Sequence, residues 1–157
     1  MTRRVLLWTL PAGSLTAAPP SPRHRIRFDG IGRLRIGMGE AQLQRQLGAA
    51  LRIETRGSAV YAGWGDPHLG LLLVEGRLVR IDVAGGRWQT LGGGRVGSLE
   101  LEIRAIFRNL VEVMPHGYDP RGRVLVVGGR APYALAFETD GDVVTALRAG
   151  VRETLLG

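Results

Sequence analysis

Gly32-Arg33-Leu34-Arg35-Ile36-Gly37-Met38-Gly39-Glu40 recurs sixty positions further on as Gly92-Gly93-Gly94-Arg95-Val96-Gly97-Ser98-Leu99-Glu100. Gly32, Arg35, Gly37 and Glu40 meet the same residue in the second copy. At the same offset Leu43, Leu47, Leu51 and Ile53 meet Ile103, Phe107, Val111 and Val113. Beyond them, Gly76-Arg77-Leu78-Val79 and Ala84-Gly85 recur at an offset of sixty-five, as Gly141-Asp142-Val143-Val144 and Ala149-Gly150. Matches that keep their order in both halves predict one supersecondary unit used twice. The expected boundaries are a leader at 1–27, a first repeat at 28–90 and a second at 91–157.

Each copy opens on an arginine-containing extended segment, turns at Gly37 or Gly97, and continues as a short helix. Ser98 is the expected N-cap of the second helix, with Glu100 and Glu102 near its positive end. Leu99, Ile103, Ile106, Phe107 and Leu110 fall on one face at helical spacing, and Leu43, Leu47 and Leu51 form the matching stripe in the first copy. Hairpins follow. Leu71 to Glu75, Gly76, and Leu78 to Val83 make the first; Tyr133 to Thr139, Asp140-Gly141, and Val143 to Leu147 make the second. Val79-Arg80-Ile81-Asp82-Val83 alternates cleanly, so Arg80 and Asp82 share the face away from the core. Arg52 to Thr55, Val60 to Trp64 and Arg123 to Val127 are shorter strand candidates. The class is α+β.

The chain of 157 residues is 45% hydrophobic and 22% charged, the balance of a globular domain and not of a disordered one. No apolar run approaches the ~18 residues of a membrane span, which excludes an integral membrane protein of the helical kind. Absent cysteines remove disulfides, thiolate metal sites and cysteine nucleophiles, and absent lysines remove Schiff-base chemistry and a phosphate-loop lysine. The net charge is +7, but the first 27 residues hold Arg3, Arg4, Arg23, Arg25 and Arg27 and no acid. The chain from Phe28 onward is close to neutral, so no nucleic-acid partner is expected of it. Arg3-Arg4, then Val5 to Leu10, then small residues up to Ala18 have the layout of an export signal. That layout implies a periplasmic or secreted protein, with envelope association open to it. The alternatives are an unstructured tail or a start misplaced within a longer leader, and a cytoplasmic protein is implied if the leader is not a functional signal.

Gly37-Met38, a short helix with Leu43, and Leu47-Gly48 resemble the module of the BamE (SmpA/OmlA) outer-membrane assembly lipoproteins, which is also found in tandem in the β-lactamase inhibitor protein. The layout from Phe28-Asp29-Gly30-Ile31-Gly32 through His116-Gly117-Tyr118-Asp119 to Phe137-Glu138-Thr139-Asp140-Gly141 looks closer still to uncharacterised exported bacterial proteins. The resemblance implies two tandem helix-plus-antiparallel-sheet repeats forming one curved sheet, with helices on one face and a concave surface on the other. It implies a protein that binds other proteins and is not an enzyme. The helix cap usual after Gly-Met is replaced by Gly39, and the cysteine pair common in exported relatives is missing.

Candidate chemistry is sparse. Gly92-Gly93-Gly94-Arg95-Val96-Gly97 matches a dinucleotide fingerprint, but a phosphate loop needs a lysine and the first copy uses the same place as a helix lead-in. His116-Gly117-Tyr118-Asp119 lies between Pro115 and Pro120. With His68, His116 and Asp119 it offers a metal-dependent hydrolase as the alternative function, provided two loops meet; otherwise the loop is tied by hydrogen bonds to backbone. Ser58 and Ser98 lack a nucleophile elbow. Glu138, Asp140 and Asp142 form an acidic cluster that could attract a cation, or else a solvated hairpin tip. The leading expectation is a binding or inhibitor-like module with no cofactor and a protein partner. Trp64 and Trp88 would be apolar anchors beside Arg56 and Arg87, with Arg80 and Asp82 as polar contacts. The rival reading places both tryptophans in the core. A third reading, an anionic-polymer binder using the arginines of 23–27, predicts affinity that falls steeply with salt.

Overall fold

A computed structural model describes residues 22–48, 52–63 and 67–157. After a 3-10 turn at Pro22–His24 come three short strands, β1 (Arg25–Arg27), β2 (Gly30–Ile31) and β3 (Leu34–Arg35). Helix α1 (Glu40–Leu47) leads into four strands, β4 (Arg52–Arg56), β5 (Ala59–Gly63), β6 (Leu69–Val74) and β7 (Arg77–Val83). Strand β8 (Gln89–Thr90) links to helix α2 (Glu100–Phe107), which again leads into four strands: β9 (Val111–Pro115), β10 (Arg123–Gly128), β11 (Tyr133–Thr139) and β12 (Val144–Val151). The eight-stranded sheet has the order β4-β5-β6-β7-β12-β11-β10-β9 and every pair in it is antiparallel. The small sheet, β3-β2-β1-β8, contains a parallel β1–β8 pair. The architecture is mixed α/β, with two short helices, large sheets and mostly strand.

The glycines of the repeated motif set where each helix starts. Gly37 and Gly97 have φ of +95° and +93°, a region that other residues rarely enter. Their amides donate to Leu78 O at 2.7 Å and Val144 O at 2.8 Å. Leu78 N–H returns to Met38 O, and Val144 N–H to Ser98 O. The helix lead-ins are thus sixty residues apart and the strands that receive them sixty-six, one more than the alignment of glycines in the sequence suggested. The expected cap is also corrected. Ser98 is buried, with its hydroxyl accepting from Arg95 N–H, and Leu99 is the N-cap residue. At both helices the N3 side chain reaches back to the cap amide, Gln42 to Gly39 and Glu102 to Leu99, each at 2.9 Å.

Leu43 of α1 and Ile103 of α2 are fully buried in one cluster with Leu71, Ile81, Leu135, Phe137 and Leu147. A second cluster joins Val124, Val126, Ala134 and Ala136 to Leu155, so β10 and β11 are covered on both faces. That explains why their alternation is blurred in the sequence. The stripe predicted for α2 is only half right. Ile103 is buried and Phe107 partly so, but Leu99 and Leu110 are exposed. The helix stops at Arg108, whose φ is +48°, and a 3-10 turn carries Leu110 outward. Strand β9 comes next, where no strand was expected. Leu51 and Trp64 lie outside the described residues.

Glu100, at the start of α2, clasps the helix to the sheet. Its carboxylate accepts from Arg104 at 2.6 Å, Arg123 at 3.0 Å and the Thr139 hydroxyl at 2.9 Å. Burial pushes its pKa up, but the bonds from Arg104, Arg123 and Thr139 outweigh that and hold it below the ordinary 4.5. A depressed carboxylate stabilises the fold above its unfolded value, and that share is lost as pH falls below about 4.5. Glu100→Gln should cost about 2 kcal/mol at neutral pH and flatten the decline of melting temperature with acid, measured by calorimetry across that range.

The two sets of four strands join at β7 and β12, where Leu147, Arg148, Ala149 and Gly150 face Val83, Asp82, Ile81 and Arg80. At Gly150 a Cβ would lie 2.2 Å from Val79 O and 2.9 Å from Arg80 Cα, and φ is +151°. Backbone cannot step aside as a side-chain tip can. Gly150→Ala should therefore cost about 3 kcal/mol and lower the melting temperature by roughly 6–12 °C. Gly128→Ala, where an added methyl meets nothing within 4 Å, should stay within about 0.5 kcal/mol; thermal denaturation of the pair checks both.

Candidate functional site

Residues that alternate with the main core along β5, β6, β7 and β12 face the other side of the sheet. There Tyr61 stands opposite Leu72, Leu72 opposite Arg80, Gly70 opposite Asp82, and Asp82 opposite Arg148. Arg80 Nε lies 2.7 Å from Asp82 Oδ1, and Arg80 Nη2 donates to Asp82 Oδ2 at 3.1 Å. Arg148 Nη2 pairs with Glu138 at 2.7 Å, with its Nε 3.9 Å from Asp82. Tyr61 crosses Gly70 to donate to Asp82 Oδ2 at 3.2 Å. Gly70 is small for that reason: a Cβ there would sit 1.8 Å from the phenol oxygen. Burial, then the charge and hydrogen bond of Asp82, raise the Tyr61 pKa above 10.0, against the opposing pull of Arg80 and Arg148.

Half of this face is covered. The chain after β12 turns through a 3-10 segment at Arg152–Thr154 and lays Leu155 over Val124, Val126, Ala134 and Ala136. Arg80 Nη1 donates to Thr154 O at 2.6 Å and Gly157 O at 2.9 Å, and Arg148 Nη1 to Leu155 O at 2.7 Å. Arg152 pairs with Glu112 of β9. The other half is open. A groove of about 490 Å³ runs past Glu54, Tyr61, His68, Asp82 and Arg148, and one of about 370 Å³ past Glu54, Arg56, Tyr61, Leu72 and Arg80.

The expected site residues are thus dispersed. Arg80 and Asp82 do share the expected face, but Arg80 is 9% exposed and spent on carbonyls and on Asp82, so it is a brace and not an exposed contact. Arg56 borders the open groove, and Arg87 is exposed on the loop before β8. Trp88 is half-buried, packed on the main core, with its ring edge-on to His24 at 5.5 Å. Trp64 lies outside the described residues. Glu138 was read only with Asp140 and Asp142 as an acidic cluster; Tyr61 and Arg148 were not picked out as site residues. Their only signal was period-two alternation in strands whose register a sequence does not supply.

The histidine loop does not assemble a metal site. His116 Nδ1 accepts from the amides of Tyr118 and Asp119, both at 3.1 Å, and its Nε2 faces Glu138 at 3.8 Å. Asp119 accepts from Arg121 N–H. His68 packs instead on Gly85 and Gly86 beside the open groove. Among the described residues no group of three His, Asp or Glu side chains is placed to hold a metal. The acidic hairpin tip also separates. Asp140 accepts from Val143 and Asp142 N–H, which hold its pKa below 3.8, while Glu138 belongs to Arg148.

No family model matches the chain and no curated protein matches it. Among solved structures it is similar to an extracellular protein containing an SCP domain from Bacillus anthracis, at 15% identity and a TM-score of 0.57. That match covers 77% of this chain and 45% of the other. A cysteine-rich secretory protein from Staphylococcus aureus matches at 13% identity and a TM-score of 0.49, over 85% of this chain and 49% of the other. The chain therefore spans less than half the length of either protein, and the likeness is one of fold. It overturns the resemblance to BamE and β-lactamase-inhibitor modules: the similar structure is that of an SCP-domain protein, and this chain is built mostly of strands around two eight-residue helices. Gly37-Met38 followed by a short helix is a local device for starting a helix, too short to specify a fold. No helix among the described residues is long and apolar enough to cross a membrane.

Asp82→Asn should expose the cost of this arrangement. Arg80 and Arg148 would keep their positions with less to neutralise them, costing about 2 kcal/mol in denaturant unfolding. The Tyr61 phenol should titrate closer to its ordinary value, read from phenolate absorbance against a Tyr61→Phe control.

Proposed function

We propose that this chain is an exported, non-catalytic binding module that takes a macromolecular partner on the open half of its sheet. The observation that carries the reading is the interlocked set of Tyr61, Arg80, Asp82 and Arg148. Side chains held by one another lose little freedom on binding, which favours recognition by a preset surface. In this reading 28–90 and 91–157 are two copies of one helix-plus-strands unit, and the sheet they share curves around the partner. The export leader in this reading ends before Pro22 and not at residue 27, because Arg25–Arg27 form β1 and Ile26 belongs to the main core. The extracellular Bacillus anthracis protein of similar fold is in keeping with that location. Arg56 beside the groove supplies an exposed cation, with Arg87 and Trp88 as further contacts and Trp64 as an apolar anchor.

The test is capture of partners from envelope and secreted fractions by the tagged chain, with Arg56→Glu and Trp64→Ala as variants. The expected result is one protein whose affinity falls by roughly tenfold in each variant, about 1.4 kcal/mol, with unchanged melting temperatures. Equal capture by both variants and the parent chain would overturn the assignment of this face. Capture lost together with the fold in Trp64→Ala would place that tryptophan in the core.

A further inference from the structure

We propose that a second cavity, on the helix side of the sheet, binds a small anionic molecule with a flat apolar body. This cavity lies between β1, the turn joining β10 to β11, and the end of α2, and has a volume of about 600 Å³. That size suits a ligand of a few fused or linked rings. Phe28, Leu91, Phe107 and Tyr133 line it. Two of these walls are fixed in advance. Phe28 lies flush on Gly129, where a Cβ would come within 2.4 Å of its ring, and Phe107 packs on Phe137 with ring centroids 5.6 Å apart. Aromatic walls held apart by packing favour a planar guest, which gains area and ring contacts without reorganising its host.

Charge decides which planar guest. Arg25, Arg27 and Arg130 line the same cavity, with Asp29 as the one carboxylate among the described residues of its lining. Arg27 pairs with Asp29 at 3.4 Å and also donates to Gly32 O. Arg27 thus answers Asp29, and the exposed Arg130 leaves the described lining positively charged, beside apolar surface that weakens screening. Arg130 is exposed on the β10–β11 turn, where its planar fork can meet a carboxylate or sulfonate in a bidentate pair. A neutral ring system would leave that positive field unanswered, and a simple inorganic anion would leave the aromatic walls wet. A single molecule bearing both features satisfies both. The open face of the sheet plays no part in this site.

The probe is 8-anilinonaphthalene-1-sulfonate, titrated into the full chain and followed by fluorescence and by amide chemical shifts. The expected result is saturable binding of one molecule, with shifts at Leu91, Phe107, Ala131 and Tyr133. N-phenyl-1-naphthylamine, the same body without the sulfonate, should bind at least about tenfold more weakly. Arg130→Glu should have a similar effect, and so should Leu91→Glu, at a position 62% exposed where the fold tolerates charge. Arg121→Glu, at a side chain 87% exposed and outside the cavity lining, should change affinity less than about twofold. Equal affinity for the charged and neutral probes would overturn the anionic assignment. Shifts confined to other parts of the chain, or indifference to Arg130→Glu, would overturn the site. Binding that emerges only after removal of residues 1–21 would give the cavity to the chain's own leader and overturn it as a ligand site.

Discussion

The antiparallel pairing of β7 with β12 is the constraint on which the rest depends. It turns two four-stranded runs into one sheet, and it brings backbone within 2.2 Å of the place a side chain would occupy at Gly150. Gly150 sits opposite Arg80 as Arg148 sits opposite Asp82, so the register of this pair brings Arg80, Asp82 and Arg148 together on one face. The charged cluster is thus a consequence of the seam. Its arginines then reach beyond the strands to hold the carbonyls of 154, 155 and 157, which is how Leu155 comes to cover the apolar half of that face.

Carboxylates serve two purposes here. Glu100 ends its reach on Arg104, Arg123 and Thr139 and ties a helix to the sheet. Asp82 sits at a solvent groove and orders the polar groups that line it. A carboxylate enclosed by its partners is a structural tie. One that holds two arginines and a phenol at the lip of a cavity presents a surface.

Much of the strand plan could be read from residues alone. The turns at Gly76 and Asp140-Gly141, with alternation through Arg80 and Asp82, located β6, β7, β11 and the start of β12. The repeated Gly37 and Gly97 located both helix starts. The rest depended on long-range pairing. Strand β9 comes after a helix stripe that runs on through Leu110, and only the positive φ of Arg108 breaks it. The β1–β8 pair is two residues long and parallel, with no pattern to read. Arg80 reads as an exposed partner of alternating sequence because nothing nearby announces acceptors more than seventy residues away. The resemblance to a tandem module failed for a related reason. A glycine, a short helix and a Leu-Gly pair describe one turn of chain, while the fold is decided by how eight strands are ordered.

The seam has a kinetic side as well. Every other neighbouring pair in the large sheet joins strands that succeed one another directly along the chain, so those hairpins close short loops. The β7–β12 pair joins residues 64 to 70 positions apart, from Val83 with Leu147 to Arg80 with Gly150. Loop-closure entropy makes such a contact costly until both meanders exist to reward it. The order of assembly written into this topology is therefore two local meanders first and their union last, with the small residue at position 150 deciding whether the final step can close.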